Sequence, residues 1–72
     1  MSDENKEYLK RIGRKIAEAR KSKNFTQDEL GDLIQMEKSN LSAIENGKQN
    51  VTALTLKRIA DALEADVTSF FS

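Results

Sequence analysis

The chain has 72 residues, and its 12 basic and 12 acidic side chains give a formal net charge of zero. This length allows one domain with a modest core, because so short a chain buries only about 60% of its unfolded surface. It contains neither cysteine nor histidine, which excludes disulfides, thiolate chemistry, most zinc sites and an imidazole base. Because no apolar run approaches a membrane span and no signal-peptide stretch begins the chain, we expect a cytoplasmic protein without a cofactor.

The charges are unevenly distributed along the chain. Seven basic residues lie between positions 10 and 23, where Glu18 is the accompanying acid, whereas three acids lie near the start of the chain and three in its last third. A net charge of zero argues by itself against a nucleic-acid partner, since phosphate neutralisation supplies most non-specific affinity. The uneven distribution keeps such a partner open, and the alternative is that these residues only solvate one helix face.

A first helix is predicted over residues 6–22, after a polar stretch without apolar periodicity. We therefore expect a flexible tail over residues 1–5 and a single domain over residues 6–72. The helix places one apolar stripe at spacings of three and four residues, formed by Leu9, Ile12, Ile16 and Ala19. Asn24 suits a left-handed stop after this helix, and Phe25 follows as a core residue.

The segment from Thr26 to Gly47 predicts two short helices joined by a tight turn. Thr26 and Glu29 form a capping box, in which each side chain accepts the other residue's backbone N–H. Apolar residues follow at helical spacing in both halves, namely Leu30, Leu33 and Ile34, then Leu41 and Ile44. Gly47 adopts a left-handed conformation without steric cost, so it is expected to end the second of these helices.

The last third predicts a fourth helix and a short fifth one, so the fold class is all-α. Thr52 is the expected N-cap of the fourth helix, whose buried face consists of Leu56, Ile59, Ala60 and Leu63. The fifth helix is expected to begin at Thr68. The apolar residues near the C-terminus, Val67, Phe70 and Phe71, either form a self-complementary dimer patch or include one Phe that completes the core.

Three motifs carry a resemblance to a known family. They are TQDEL at residues 26–30, SNLSAIENG at residues 39–47 and LKRIADAL at residues 56–63. Their order and spacing resemble the phage-repressor-like family, of the Cro/repressor or xenobiotic-response-element type, over nearly the whole chain. The resemblance implies a compact five-helix, lambda-repressor-like DNA-binding domain. Its helix-turn-helix would comprise helices 2 and 3, and helix 3 would enter the major groove.

The resemblance also implies which side chains face the bases. Small and polar side chains suit base edges in a groove about 12 Å wide, and the implied base-facing residues are Lys38, Ser39, Ser42 and Ala43. Asn40 is expected to contact either a base or a phosphate. Glu37 either accepts a hydrogen bond from cytosine or only lowers affinity. The alternative for the whole face is an ordinary solvated surface.

The expected phosphate contacts flank this helix. Gln27 lies in the first turn of the second helix, where free N–H groups and the helix dipole favour an anion, and the resemblance gives Asn46 a similar role. We expect these two residues, with Thr26 and Lys48, to bracket one strand. For Thr26 the alternative is capping alone, and for Asn46 it is satisfaction of the helix end.

A bidentate ion pair between Arg20 and Glu45 is implied by the resemblance as well. We expect it to hold the first helix against the end of the third and to fix register more than net stability, because desolvation offsets the attraction. Several residues depart from the family pattern. Gln35 replaces a turn glycine at a cost of about 1 kcal/mol, Gly31 replaces an alanine, and Leu33, where a charge is common, is either core or contact surface.

The leading hypothesis is a sequence-specific, double-stranded DNA-binding transcription regulator, most simply a repressor. It would act as a homodimer that reads half-sites about one helical turn apart, with no membrane and no small-molecule substrate. The alternative is a protein-interaction module of the same fold with little DNA affinity. An enzyme is not expected, since nothing places a nucleophile beside a base in a pocket.

Overall fold

Four α-helices and one terminal 3₁₀ helix make up the structure, a computed structural model that describes residues 3–72. In chain order they are α1 (Asp3–Ser22), α2 (Gln27–Ile34), α3 (Lys38–Glu45), α4 (Ala53–Ala62) and η1 (Val67–Phe71). No strand occurs in this range, which confirms the all-α prediction. None of these helices is both long and apolar enough to cross a bilayer.

The prediction of five helices is wrong in one respect, because the last element is not an α-helix. The segment that was expected to begin at Thr68 is η1, a 3₁₀ helix of five residues that begins at Val67. The Asp66 side chain accepts the backbone N–H of Thr68 at its start, and the Ser69 N–H donates to the Asp66 carbonyl at 2.9 Å. These short-range bonds close a tight turn, and the i to i+3 geometry rarely extends beyond a few residues.

Helix α1 begins three residues before the predicted start. Asp3 and Glu4 occupy its first turn, where acidic side chains interact favourably with the positive end of the helix dipole. Residues 3–5 of the expected tail are therefore helical, while Met1 and Ser2 lie outside the described residues. At the other end Asn24 has a φ of 62°, which confirms the predicted left-handed stop.

The core lies where α1, α2, α3, α4 and η1 meet. Its buried residues include the whole predicted face of α4, and Phe25 and Met36 pack partly buried against it. Leu33, by contrast, is 57% exposed, so it belongs to the surface. The buried apolar residues are Ile12, Ile16, Leu30, Ile34, Leu41, Ile44, Leu56, Ile59, Ala60, Leu63 and Phe70.

The caps of α2 and α4 are those that the sequence predicts. The Glu29 N–H donates to the Thr26 hydroxyl at 3.1 Å, and the Thr26 N–H donates to the Glu29 carboxylate at 2.8 Å, which confirms the capping box. Thr52 accepts the Thr55 N–H at 3.1 Å and so caps α4. Each bond satisfies a backbone donor that the first turn of a helix leaves free.

The turn between α2 and α3 is tight enough to require Gly31. Gln35 is left-handed, with a φ of 56°, and the Met36 N–H donates back to the Gly31 carbonyl at 2.8 Å. A Cβ on Gly31 would lie 2.5 Å from the Met36 carbonyl oxygen. In addition, the Arg58 guanidinium on α4 donates to the Ile34 carbonyl and ties the end of α2 to α4.

Two glycines bring α1 into direct contact with the end of α3. A Cβ on Gly13 would lie 2.4 Å from the carbonyl oxygens of both Ile44 and Glu45. Gly47 has a φ of 70°, and its N–H donates to the Ile44 carbonyl at 3.1 Å, which confirms it as the residue that ends α3. The position of α3 is thus set by backbone contact with α1.

Candidate nucleic-acid interface

Helix α3 has one buried and one open side. Leu41 and Ile44 are 0% and 3% exposed and anchor the helix in the core. The side chains that were expected to face DNA lie on the other side: Glu37, Lys38, Ser39 and Asn40 are exposed, and Ser42 and Ala43 are partly exposed. None of these six residues belongs to the core, so each remains accessible, and their contact with DNA stays a prediction.

The open face of α3 offers a mixed set of hydrogen-bonding groups. Lys38 carries three N–H donors, the hydroxyls of Ser39 and Ser42 both donate and accept, and Ala43 presents a methyl group. These groups match the donors, acceptors and methyl groups on the floor of the DNA major groove. Glu37 occupies the N-cap position of α3 without making a capping hydrogen bond, so its carboxylate is not committed to its own helix.

The predicted Arg20–Glu45 ion pair is present and buried. Arg20 Nε donates to Glu45 Oε2 at 2.7 Å and Arg20 Nη2 donates to Oε1 at 3.1 Å, which makes the contact bidentate. Each residue is 8% exposed. Arg20 Nη1 also donates to the Phe25 carbonyl at 2.7 Å. One guanidinium therefore joins the end of α1, the loop before α2 and the end of α3.

Gln27 is a third member of this network, which the sequence did not predict. Its side-chain Nε2 donates to Glu45 Oε1 at 2.9 Å and links the first turn of α2 to the last turn of α3. An amide carries two N–H donors, so this bond orients the side chain and leaves a second donor. The sequence shows a glutamine at the start of one helix and a glutamate at the end of the next, but it does not show that their side chains lie within hydrogen-bonding distance.

Two of the other expected phosphate contacts, Thr26 and Asn46, have hydrogen-bond partners within the chain. The Thr26 hydroxyl is engaged in the capping box. Asn46 Nδ2 donates to the Ser42 carbonyl at 2.8 Å and lies 3.4 Å from the Ser42 hydroxyl, so it satisfies the end of α3. Lys48 is exposed beside it. The local roles weighed for Thr26 and Asn46 are therefore both present, and the DNA roles remain predictions.

The expected dimer patch at the C-terminus needs correction. Phe70 is 1% exposed and fills the core, whereas Phe71 is 50% exposed and Val67 is partly buried against the core. Adjacent residues of a 3₁₀ helix point about 120° apart, so one Phe faces inward and the next faces out. The ring of Phe71 instead lies 6.4 Å from that of Tyr8 on α1.

An apolar groove of about 590 Å³ runs beside this ring pair. Sequence periodicity did not identify Tyr8, which is 47% exposed. The groove is lined by Asn5, Tyr8, Leu9, Ile12, Asn50, Val51, Leu56 and Phe71.

Comparison with known proteins agrees with this geometry. A helix-turn-helix family model matches residues 16–70, which includes α2, α3 and the turn between them. The chain belongs to the helix-turn-helix family. It is 37% identical over 60 residues to the competence pilus inhibition repressor of Acinetobacter baylyi, with 83% of this chain and 54% of that protein covered.

Two further similar proteins are of nearly the same size. The control protein C.MunI of Mycoplasma is 33% identical, and the match covers 86% of this chain and 85% of that protein. The crystal structure of the restriction-modification controller protein C.AhdI from Aeromonas hydrophila superposes with a TM-score of 0.84 at 27% identity, with 88% and 96% covered. The chain thus spans about half of the Acinetobacter repressor and most of the two controller proteins.

Proposed function

We propose that the chain is a sequence-specific, double-stranded DNA-binding transcription regulator that places α3 in the major groove. The observation that carries this proposal is the open side of α3, where Lys38 and Ser39 are exposed and Ser42 and Ala43 partly exposed, while Leu41 is buried. A helix held by its apolar side and free on its polar side can enter the groove and reach base edges.

The hydrogen-bond network around Glu45 supports this role, because it fixes the last turn of α3, the helix proposed to read the bases. Arg20 and Gln27 hold the last turn of α3 through three hydrogen bonds to its carboxylate. The Arg20 guanidinium also neutralises a negative charge that would otherwise repel phosphate. Gln27 at the N-terminus of α2 and Lys48 after α3 then flank the reading helix as phosphate contacts.

A repressor is the simplest form of this function, since a protein seated on a promoter excludes polymerase. The Acinetobacter relative is named a repressor and the Mycoplasma relative a control protein, and these names support a regulatory role. We place the protein in the cytoplasm, where its DNA target would be, and assign it no enzymatic step.

We further propose that it binds as a homodimer. One module covers one half-site, and a two-fold dimer reads two half-sites about one helical turn apart. The half-exposed Phe71 and Tyr8, beside the apolar groove, offer a self-complementary surface away from α3. A two-fold interface uses the same patch on both subunits.

The competing function is a protein-interaction module with little DNA affinity. The zero net charge and the uncapped Glu37 carboxylate at the start of α3 favour it. Phosphate contacts release counterions, so the two functions differ in how binding responds to salt. A regulator loses affinity steeply between about 50 and 200 mM salt, whereas an interaction module shows no such slope.

The test is selection of bound sequences from random double-stranded DNA with the full chain, followed by titration at several salt concentrations. We expect one enriched half-site and a steep salt slope. Lys38→Gln should relax specificity at one base pair at a cost of about 1–3 kcal/mol. Lys57→Gln, which removes a lysine already paired with Asp61, should bind as the wild type does. Recovery of no preferred sequence, with no binding in dilute buffer, would overturn the proposal.

A further inference from the structure

Three lysines meet at the C-terminal end of α3, beyond its base-facing residues. Lys6 and Lys10 of α1 and Lys48 of the following loop line one concavity of about 330 Å³, together with Asn46 and Gly47. We infer that Lys6, Lys10 and Lys48, here named the lysine cradle, bind a backbone phosphate of the DNA outside the bases read by α3. This inference rests on the proposed function and identifies α1 as a part of the DNA-binding surface.

Close packing of α1 on Gly47 creates the cradle. A Cβ on Gly47 would lie 2.6 Å from both the Cα and the N of Lys10, so the two backbones are in direct contact. Lys6 precedes Lys10 by one helical turn, and residues four apart lie on the same face of a helix. Lysines that are about 40 positions from Lys48 in sequence thereby become its neighbours.

The cradle has little internal charge compensation. Lys10 Nζ lies 4.0 Å from a Glu7 carboxylate oxygen, but both side chains are well exposed, and such a pair contributes little. Within residues 3–72, neither Lys6 nor Lys48 forms a salt bridge. Three lysines that line one concavity without firm carboxylate partners produce a local positive potential, which favours a polyanion.

The backbone at this end of α3 is already satisfied. The N–H groups of residues 46, 47 and 48 donate to carbonyls of α3 at 3.0, 3.1 and 2.9 Å. These bonds cap carbonyl groups that would otherwise repel an anion, and they use the local backbone donors. A phosphate at this position must therefore be held by the lysine side chains, which also makes its binding sensitive to their removal.

The cradle is continuous with the surface proposed to read bases. Asn46, which lines the cradle, donates from Nδ2 to the carbonyl of Ser42, a base-facing residue. Phosphate contacts fix the orientation of a reading helix on the duplex without adding sequence information. A cradle adjoining the end of α3 suits that task and explains how a chain of zero net charge attracts DNA.

The test compares two double variants with the same change in charge. Lys6→Gln with Lys10→Gln removes the α1 side of the cradle. Lys23→Gln with Lys57→Gln is the control, because those lysines already pair with carboxylates of Glu64 and Asp61. Binding is measured against the duplex recovered by the selection, over a series of salt concentrations, with circular dichroism to verify that each variant is folded.

The cradle variant should reduce the magnitude of the slope of log affinity against log salt by about 0.9 for each phosphate that a protomer no longer binds. The reduction should be the same on DNA of unrelated sequence. The control should keep the wild-type slope. Equal slopes in the two variants would overturn the cradle and leave the regulator intact. A lower melting temperature with an unchanged slope would likewise show a purely structural role. A wild type that retains no DNA would overturn the proposed function, and the cradle with it.

Discussion

Arg20 and Glu45 are the two charged residues that the chain buries within residues 3–72. Burial of two charges is costly, and their attraction compensates only when the geometry is good and further hydrogen bonds satisfy the remaining groups. Both conditions hold, because Phe25 and Gln27 supply the additional bonds. In the described part of the chain, no fully buried side-chain nitrogen or oxygen lacks a partner.

Removal of one partner of this pair should be strongly destabilising. Glu45→Ala leaves the Arg20 guanidinium buried without its carboxylate, and we expect a loss of roughly 3 to 5 kcal/mol in the free energy of unfolding. Urea denaturation measures this loss. Glu64→Ala, which breaks the exposed pair with Lys23, is the matched control and should cost about 1 kcal/mol or less. Similar costs for the two variants would show that burial of the pair is unimportant.

The conformation and hydrogen bonds of a single residue could be predicted where they depend on residues close to it in sequence. The capping box of Thr26, the left-handed Asn24 and Gly47, and the Thr52 cap depend on neighbours within a few positions. The Arg20–Glu45 pair was predicted only through the family resemblance, since 25 positions separate the two residues. Gln27 as the second donor to Glu45 was missed because the distance between those side chains is set by helix packing.

The turn between α2 and α3 stores backbone strain at Gln35. Its φ of 56° lies in the left-handed region, which costs a residue with a Cβ about 1 kcal/mol or more. Gln35→Gly should therefore raise the free energy of unfolding by up to about 1 kcal/mol, because relief of strain exceeds the added entropy of the unfolded chain. Thermal and urea unfolding measure this change.

The control for the turn is Gln49→Gly in the loop after α3. Gln49 is not among the residues with positive φ, so glycine there relieves no strain and should leave stability unchanged or lower it. If Gln35→Gly were destabilising to the same extent as this control, the turn would carry no strain. The Gln35→Gly variant should retain DNA binding, because Gln35 is not one of the predicted base-facing residues.

The start of η1 should be sensitive to acid. The backbone N–H of Thr68, and then its hydroxyl, hold the pKa of Asp66 below its ordinary value of 3.8. A depressed pKa stabilises the fold above 3.8, and this contribution is lost as pH falls through the folded-state pKa. Asp66→Asn should therefore be less stable than wild type at pH 7 and equal to it in strong acid.

Urea unfolding of wild type and Asp66→Asn at neutral and acid pH tests this expectation. Asp28→Asn is a suitable control, because it removes an exposed carboxylate from the first turn of another helix. A difference between wild type and Asp66→Asn that is constant with pH would contradict the proposed role of the charge.

The exposed surface formed by Phe71 and Tyr8 is the proposed dimer interface. If the Phe71 and Tyr8 surface forms the dimer, Phe71→Ala should sediment as a monomer at concentrations where wild type is dimeric. The folded monomer should lose little stability, because the side chain is half exposed. A dimeric Phe71→Ala would place the interface elsewhere, for example at Leu54, which is 68% exposed.

Phe70→Ala is the contrasting variant for this experiment. Phe70 is buried in the core, so its truncation leaves a cavity and should cost about 3–5 kcal/mol. If Phe70→Ala lowers stability and Phe71→Ala abolishes the dimer, the two adjacent residues have separate roles, one in the core and one in the interface. Sedimentation and urea unfolding of both variants supply the comparison.

The sequence by itself determined the helical class, most helix boundaries, the caps and the span of the helix-turn-helix. These follow from apolar periodicity, from hydrogen bonds between near neighbours and from the backbone freedom of individual residues. Leu33 marks the limit of that reasoning, since its spacing fits the buried stripe of α2 while its side chain is exposed.

Only the tertiary structure decided which residues distant in sequence became neighbours. It placed Phe70 inside and Phe71 outside, joined Gln27 to Glu45, and brought Lys6 and Lys10 beside Lys48. The physical reason is that helix packing sets these distances. Here the packing depends on close backbone contact at Gly13 and Gly47, and local pattern does not reveal which helix will occupy the space that a glycine leaves.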